Sequence, residues 1–189
     1  MINKLPIVIN LFGAPGSGKS TGAALVFSKL KQKGVNAELV TEFAKSKTWE
    51  HNQVALNCQE YVFGNQSYKF ARCRNDVDVI VTDSPLPLGI LYNKNPALDE
   101  SFNKTVINVF NSYNNYNYYI IRKKPYNPKG RNQTEEESDK IALRISELLE
   151  KYNIPFVVQD GNEEGYYNIV NDVINILREN KINEAIHNI

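Results

Sequence analysis

Eight residues near the start of the chain, Gly13-Ala14-Pro15-Gly16-Ser17-Gly18-Lys19-Ser20, constrain its fold more than any other stretch. They follow the spacing G-x-x-x-x-G-K-[ST] of a phosphate-binding P-loop. The glycines let the main chain curl against a polyanion with no Cβ in the way. Successive backbone N–H groups then face one concavity, and the helix that follows adds the positive end of its dipole. Lys19 is expected to reach the β- and γ-phosphates of a nucleoside triphosphate, and the Ser20 hydroxyl to ligate Mg²⁺. The flanks agree with the motif. Pro6 to Phe12 (PIVINLF) reads as a buried strand, and Thr21 to Lys33 as a helix with Ala23, Phe27 and Leu30 on one face. Residues 13–21 are therefore expected to cradle the nucleotide.

At 189 residues the chain is long enough to bury a full core, and residues 1–189 read as a single domain. The formal net charge is +1, so no global field steers polyanions, and a large nucleic-acid footprint is not expected. No apolar run approaches the roughly 18 residues that span a bilayer. Met-Ile-Asn-Lys-Leu-Pro leads straight into the first strand, so no signal peptide is expected and the reading is cytoplasmic. Cys58 and Cys73 lie far apart without metal-like pairing and read as reduced thiols.

Helical and extended patterns alternate along the whole chain. After the first helix, Gly34 is placed to cap it. Ala37 to Thr41 reads as a second strand ending at Glu42, followed by helical stretches over Phe43 to His51 and Gln53 to Arg74. Val77 to Thr82 (VDVIVT) is nearly all apolar, as a central parallel strand covered on both faces should be. It runs into Asp83-Ser84-Pro85, where Pro85 and Pro87 delay the next helix. Leu98 to Tyr113 (helix), Tyr116 to Ile121 (strand) and a polar, basic segment from Arg122 to Gln133 come next. Thr134-Glu-Glu-Glu137 forms a capping box for a helix reaching Tyr152. Ile154 to Gln159 is the fifth strand, Asp160-Gly161-Asn162 a turn, and Glu164 to Glu179 the last helix. The fold expected is an α/β P-loop NTPase three-layer sandwich with a five-stranded parallel sheet, nucleoside-kinase-like, with a lid at about residues 122–134. Ligands of such sheets sit at the carboxyl ends of the strands, where Glu42, Asp83, Arg122 and the P-loop all fall.

Asp83 is expected to hold Mg²⁺ opposite Ser20, as a Walker B carboxylate does. Glu42 stands where a base would orient and deprotonate a substrate hydroxyl. Arg122 and Arg131 are the guanidinium groups of the basic segment, which also carries Lys123, Lys124 and Lys129. A mobile loop bearing arginine can stabilise charge on a phosphoryl group in transfer and exclude water. The catalytic set is thus Lys19, Glu42, Asp83, Arg122 and Arg131. Trp49, Tyr61, Phe63, Tyr68, Arg72 and Arg74 come from the region that can wall an acceptor site, where aromatics could stack on a base and an arginine could take a phosphate.

The stretches GAPGSGKST (13–21), VTEFAK (40–45), the Gln- and aromatic-rich helix around Gln53 to Phe70, VIVTDSPL (79–86) and KPYNPKGRNQTEEES (124–138) resemble the P-loop kinases of the NadR-like group. Its best-known members phosphorylate nicotinamide riboside, and many phage proteins described as AAA-family ATPases lie near it. The resemblance implies an ATP-dependent kinase with a five-stranded core and a flexible lid, acting in the host cytoplasm if phage-encoded. It matches Glu42 and Asp83 to the acidic pair near acceptor and metal, and Arg131 to a lid arginine. The group is similar to deoxynucleoside and nucleotide kinases, and phage relatives include kinases of hydroxymethyl-pyrimidines within DNA.

The function expected is transfer of the γ-phosphate of ATP, with Mg²⁺, to a hydroxyl of a nucleoside-, nucleotide- or modified-base-type acceptor. A free nucleoside or nucleotide ranks above a base in DNA because the net charge is near zero. Two alternatives stay open: a regulatory NTPase whose nucleotide state switches a partner-binding surface, and an inactive nucleotide-binding module. A homodimer is compatible with the sequence, and no residue pattern addresses it.

Overall fold

A computed structural model describes residues 5–98, 100–127 and 134–187. Its five strands are β1 (Ile7–Phe12), β2 (Ala37–Val40), β3 (Val79–Thr82), β4 (Asn114–Ile121) and β5 (Val157–Asp160). The helices are α1 (Lys19–Gln32), α2 (Phe43–Trp49), α3 (Gln53–Asn57), α4 (Gln59–Ala71), α5 (Leu88–Tyr92), α6 (Glu100–Asn111), α7 (Glu135–Lys151) and α8 (Glu163–His187). The sheet is wholly parallel, in the order β2-β3-β1-β4-β5, as the alternation of elements requires.

The expected three layers are present. Ile7, Ile9 and Leu11 of β1 point to one face and pack with Ala23, Val26 and Leu30 of α1 and with Tyr166, Ile169, Val170 and Val173 of α8. Val8 and Phe12 point to the other face, against Phe70 of α4, Phe110 of α6, and Ile141, Ile145 and Leu149 of α7. Alternation along β1 thus serves two cores, which is why both the first and third strands read as nearly continuous apolar runs. Phe70 is almost fully buried and meets the Tyr113 ring edge-on at 5.7 Å. Phe70→Ala is expected to cost about 3–5 kcal/mol of stability, read from the urea midpoint at unchanged slope.

Asn10 lies in the middle of β1, fully buried. Its amide donates to Asn117 Oδ1 at 3.0 Å and Asn115 Oδ1 at 2.9 Å, and Asn117 donates in turn to the Pro155 carbonyl. This ladder carries pairing back to Asn114, so β4 begins two residues before the aromatic run. β5 begins at Val157 rather than Ile154, with the Pro155 carbonyl used by Asn117. The helical stretch from Gln53 divides at Cys58, whose ψ of 85° is extended although no glycine or proline stands there. Pro85 and Pro87 do not keep helix away for long: Pro87 itself caps the short α5. At the expected Gly34 stop, φ is 77°. Among the described residues no helix is long and apolar enough to cross a membrane.

Candidate active site

β1 ends at Phe12 and delivers the chain to the loop, whose backbone geometry depends on its glycines. Gly13, Gly16 and Gly18 all have positive φ, at 141°, 83° and 104°. A Cβ on Gly13 would stand 2.7 Å from the Ile120 carbonyl oxygen and 2.7 Å from Ser17 Oγ. The Ser17 hydroxyl is buried within this curl, with no hydrogen-bond partner among the described residues. The Lys19 ammonium folds over the loop and donates to the Gly13 carbonyl at 2.6 Å and the Ala14 carbonyl at 3.0 Å. Ser20 and Thr21 lie exposed in the first turn of α1.

The loop forms one wall of a cleft of about 570 Å³. Gly13, Pro15, Gly16, Gly18, Lys19, Ser20 and Thr21 line one end. Glu42 and Asp83, at the carboxyl ends of β2 and β3, line the same cleft. Beyond them the cleft runs between α2, α3, α4 and α5, past Lys45, Trp49, Gln53, Phe63, Tyr92 and Lys94. Asp83 is nearly buried, and one carboxylate oxygen accepts the Glu42 backbone N–H at 3.1 Å. Burial raises the Glu42 carboxyl above its ordinary range. Lys19 pulls it back down, and Asp83 adds to the rise. Tyr92 stands in the same field: burial first, then Glu42, push its phenol up to about 12.

Residues 8–164 match a family model described as an AAA domain. The chain belongs to that family. No curated protein matches the sequence. Among solved structures, this AAA domain is similar to thymidylate kinase from Ehrlichia chaffeensis, with 16% identity and a TM-score of 0.59 over 91% of this chain and 98% of that one. It is also similar to deoxyadenosine kinase from M. mycoides with bound dATP, with 19% identity and a TM-score of 0.52 over 90% and 99%. Both likenesses bear on fold, and they agree with the five-stranded parallel sandwich described above.

The fit of Mg²⁺ to this AAA domain follows from the donor set. Ser20 and Asp83 offer hard oxygen atoms on one cleft, as a hard cation needs. Among the described residues no group of three or more His, Cys, Asp or Glu side chains gathers to hold a metal, in the cleft or outside it, so the donors offered are one hydroxyl and one carboxylate. Arg122 sits outside the cleft lining. Its guanidinium pairs with Asp139 at 2.8 Å and Glu135 at 3.1 Å, both on α7, and lies 5.5 Å from the Tyr126 ring centroid. Lys123 pairs with Asp160. Arg131 and Lys129 lie outside the described residues. Arg72 pairs with Glu38, and Arg74 rests on Tyr113 and donates to the Ser112 carbonyl, so neither faces the cleft. Tyr61 packs edge-on against Phe43, and Tyr68 is exposed. Trp49 and Phe63 do line the cleft, Trp49 largely exposed at its rim.

Several residues that brace the AAA domain's loop carry no sequence signal of their own. Ser138, fully buried in α7, donates to the Pro15 carbonyl at 2.7 Å. Tyr166 of α8 donates to the Gly18 carbonyl at 3.0 Å, and its ring fills the space that a side chain on Gly22 would need. Gly161 passes so close to the main chain of Ser17 that a Cβ there would stand 2.2 Å from its carbonyl oxygen. Only Gly161 could have been found beforehand, from the Asp-Gly-Asn turn that follows the fifth strand.

Proposed function

We propose that this AAA domain is an ATP-dependent kinase, which transfers the γ-phosphate of ATP to a hydroxyl of a nucleoside- or nucleotide-type acceptor. The observation that carries the reading is Glu42, a carboxylate that lines one cleft with the phosphate loop and with residues of α2, α3, α4 and α5, and that feels the charges of Lys19 and Asp83. Its raised proton affinity fits a base that takes a proton from a hydroxyl. In the proposed step the acceptor hydroxyl gives its proton to Glu42 as its oxygen bonds to the γ-phosphorus. The bond from that phosphorus to the bridging β,γ-oxygen breaks, and ADP leaves. Lys19 and the loop amides hold the phosphates and offset their charge. Ser20 and Asp83 would hold Mg²⁺, which when bound neutralises charge on the phosphate oxygens.

Residues 1–189 form one kinase domain in this reading, with a lid at about 122–134. Its arginine proposed to stabilise the phosphoryl group in transfer is Arg131, and Arg122 is held to α7 through Glu135 and Asp139. The NadR-like resemblance and the likeness to thymidylate and deoxyadenosine kinases support an acceptor of nucleoside or nucleotide type. Lys45 and Lys94 give the acceptor half positive charge, which suits an acceptor that carries a phosphate of its own.

ADP release across an acceptor panel tests the reading. The panel holds nicotinamide riboside, deoxynucleosides, their monophosphates, and DNA containing hydroxymethyluracil. One acceptor is expected to raise ADP formation at least about tenfold above the acceptor-free rate. A rate that no acceptor changes contradicts the kinase and favours the switch NTPase.

A further inference from the structure

We propose that Gln66 is the positioning residue for the Glu42 carboxylate, its side-chain amide fixing the main chain on both sides of Glu42 and tying it to the strand end that carries Asp83. The inference rests on the kinase reading above, in which Glu42 is the base. Gln66 belongs to α4 and is nearly buried. Its Oε1 accepts the Phe43 backbone N–H at 2.8 Å.

That bond does an unusual job. Phe43 is the first residue of α2, so its N–H has no partner within the helix. Such donors near a helix start are commonly satisfied by the side chain of the cap residue itself. Here the cap residue is Glu42, and its side chain makes no capping bond. A glutamine from another helix supplies the acceptor, so the Glu42 carboxylate is not spent on the helix end.

The rest of the amide completes a clamp. Gln66 Nε2 faces the Thr41 carbonyl at 3.5 Å and the Ser84 carbonyl at 3.4 Å. Lys69, on the same helix, donates to the Thr41 carbonyl at 2.9 Å. The Glu42 N–H itself donates to Asp83 Oδ1. Three successive residues, 41 to 43, are thereby pinned through their main chain, and only side-chain torsions remain to aim the carboxylate. A misplacement of about 1 Å at a reacting group can cost about 10²-fold in rate, so pinning of this kind has a measurable effect.

Gln66→Met keeps the length and bulk of the side chain and removes both hydrogen-bonding atoms. It is expected to lower kcat for transfer about 10–100-fold while the affinity for ATP and the acceptor KM stay within about threefold. The Phe43 amide is expected to lose its protection from hydrogen exchange. Val170→Ala, in the core on the opposite face of the sheet, supplies a matched loss of stability and should keep its kcat. Gln66→Glu retains an acceptor for the Phe43 N–H, so it should keep Phe43 protected and show a kcat above that of Gln66→Met. It carries the test should Gln66→Met fail to fold, and an unprotected Phe43 in it overturns the inference. So does a Gln66→Met enzyme whose kcat falls no further than that of Val170→Ala, or whose Phe43 amide stays protected. If Glu42→Gln is inactive while Gln66→Met is fully active, the Gln66 inference alone fails. If wild-type protein transfers phosphate to no acceptor, or Glu42→Gln transfers normally, the base reading fails and takes this inference with it.

Discussion

Glu42→Gln is expected to lower transfer to the acceptor about 10²–10⁴-fold while ATP affinity stays within about threefold. The side chain keeps its size and its place at the start of α2, and the main-chain bonds from Glu42 to Asp83 and from Phe43 to Gln66 do not involve the carboxylate. What it loses is the ability to take a proton. A structural role would show up as lost folding, and a role in nucleotide binding as lost ATP affinity.

The same variant has a second expected signature, in stability. Burial is the largest influence on the Glu42 carboxyl, and the net result is a proton held more tightly in the folded protein than in the unfolded chain. The folded form therefore binds more protons than the unfolded chain once pH rises above the ordinary carboxyl value of 4.5. Stability tied to this group is fully present below that value and is lost as pH climbs through the folded value. Glutamine has no proton to lose. In metal-free buffer the variant and wild type should melt together near about pH 4, and the variant should melt higher near about pH 8. A variant that gains nothing at the higher pH contradicts the burial of an ionisable carboxylate there.

Gly161→Ala is expected to break the phosphate loop from behind. The added methyl would meet the Ser17 carbonyl oxygen at 2.2 Å and the Ile121 carbonyl oxygen at 2.7 Å. Both are main-chain atoms, so no side chain can swing away. Gly161 also donates its N–H to that Ile121 carbonyl at 2.8 Å, which holds the turn in place. Either the turn after β5 moves out or the loop lifts off its seat. We expect a stability loss of about 3 kcal/mol and an ATP affinity at least about tenfold weaker, measured by thermal unfolding and by calorimetric titration. Gly64→Ala is the contrasting case. It lies within α4 with nothing near a new Cβ, and alanine there should add up to about 1 kcal/mol. Equal behaviour of the two variants would contradict the tight seat under the loop.

What could be read in the sequence, and what could not, divides along a physical line. β1 and β3 announced themselves because strands covered on both faces are mostly apolar, and the sheet gave Glu42 and Asp83 a common edge because each follows a strand. The loop was legible because backbone curvature of that kind demands glycine at fixed spacing. Features set by contacts between distant parts of the chain were hidden. Gln66 reaches Phe43 across 23 residues, Ser138 reaches Pro15 across 123, and Tyr166 reaches Gly18 across 148. Gln66 and Ser138 fall within stretches that carry the family resemblance, but nothing local in them tells which atom each side chain reaches. The break at Cys58 was hidden too, since no glycine or proline stands there to announce it. Arg122 shows the complementary case. Its position at the active edge was readable, whereas its engagement by Glu135 and Asp139 depends on how α7 returns over the sheet.

The fate of the γ-phosphate in a single turnover tests the central claim most directly. Enzyme in excess over γ-labelled ATP, with Mg²⁺ and the best acceptor of the panel, is quenched over time, and label is counted on acceptor and on inorganic phosphate. A kinase built as described should place most of the label on the acceptor, and Glu42→Gln should place almost none there. Label that appears only as inorganic phosphate, at a rate indifferent to both acceptor and Glu42, would contradict it.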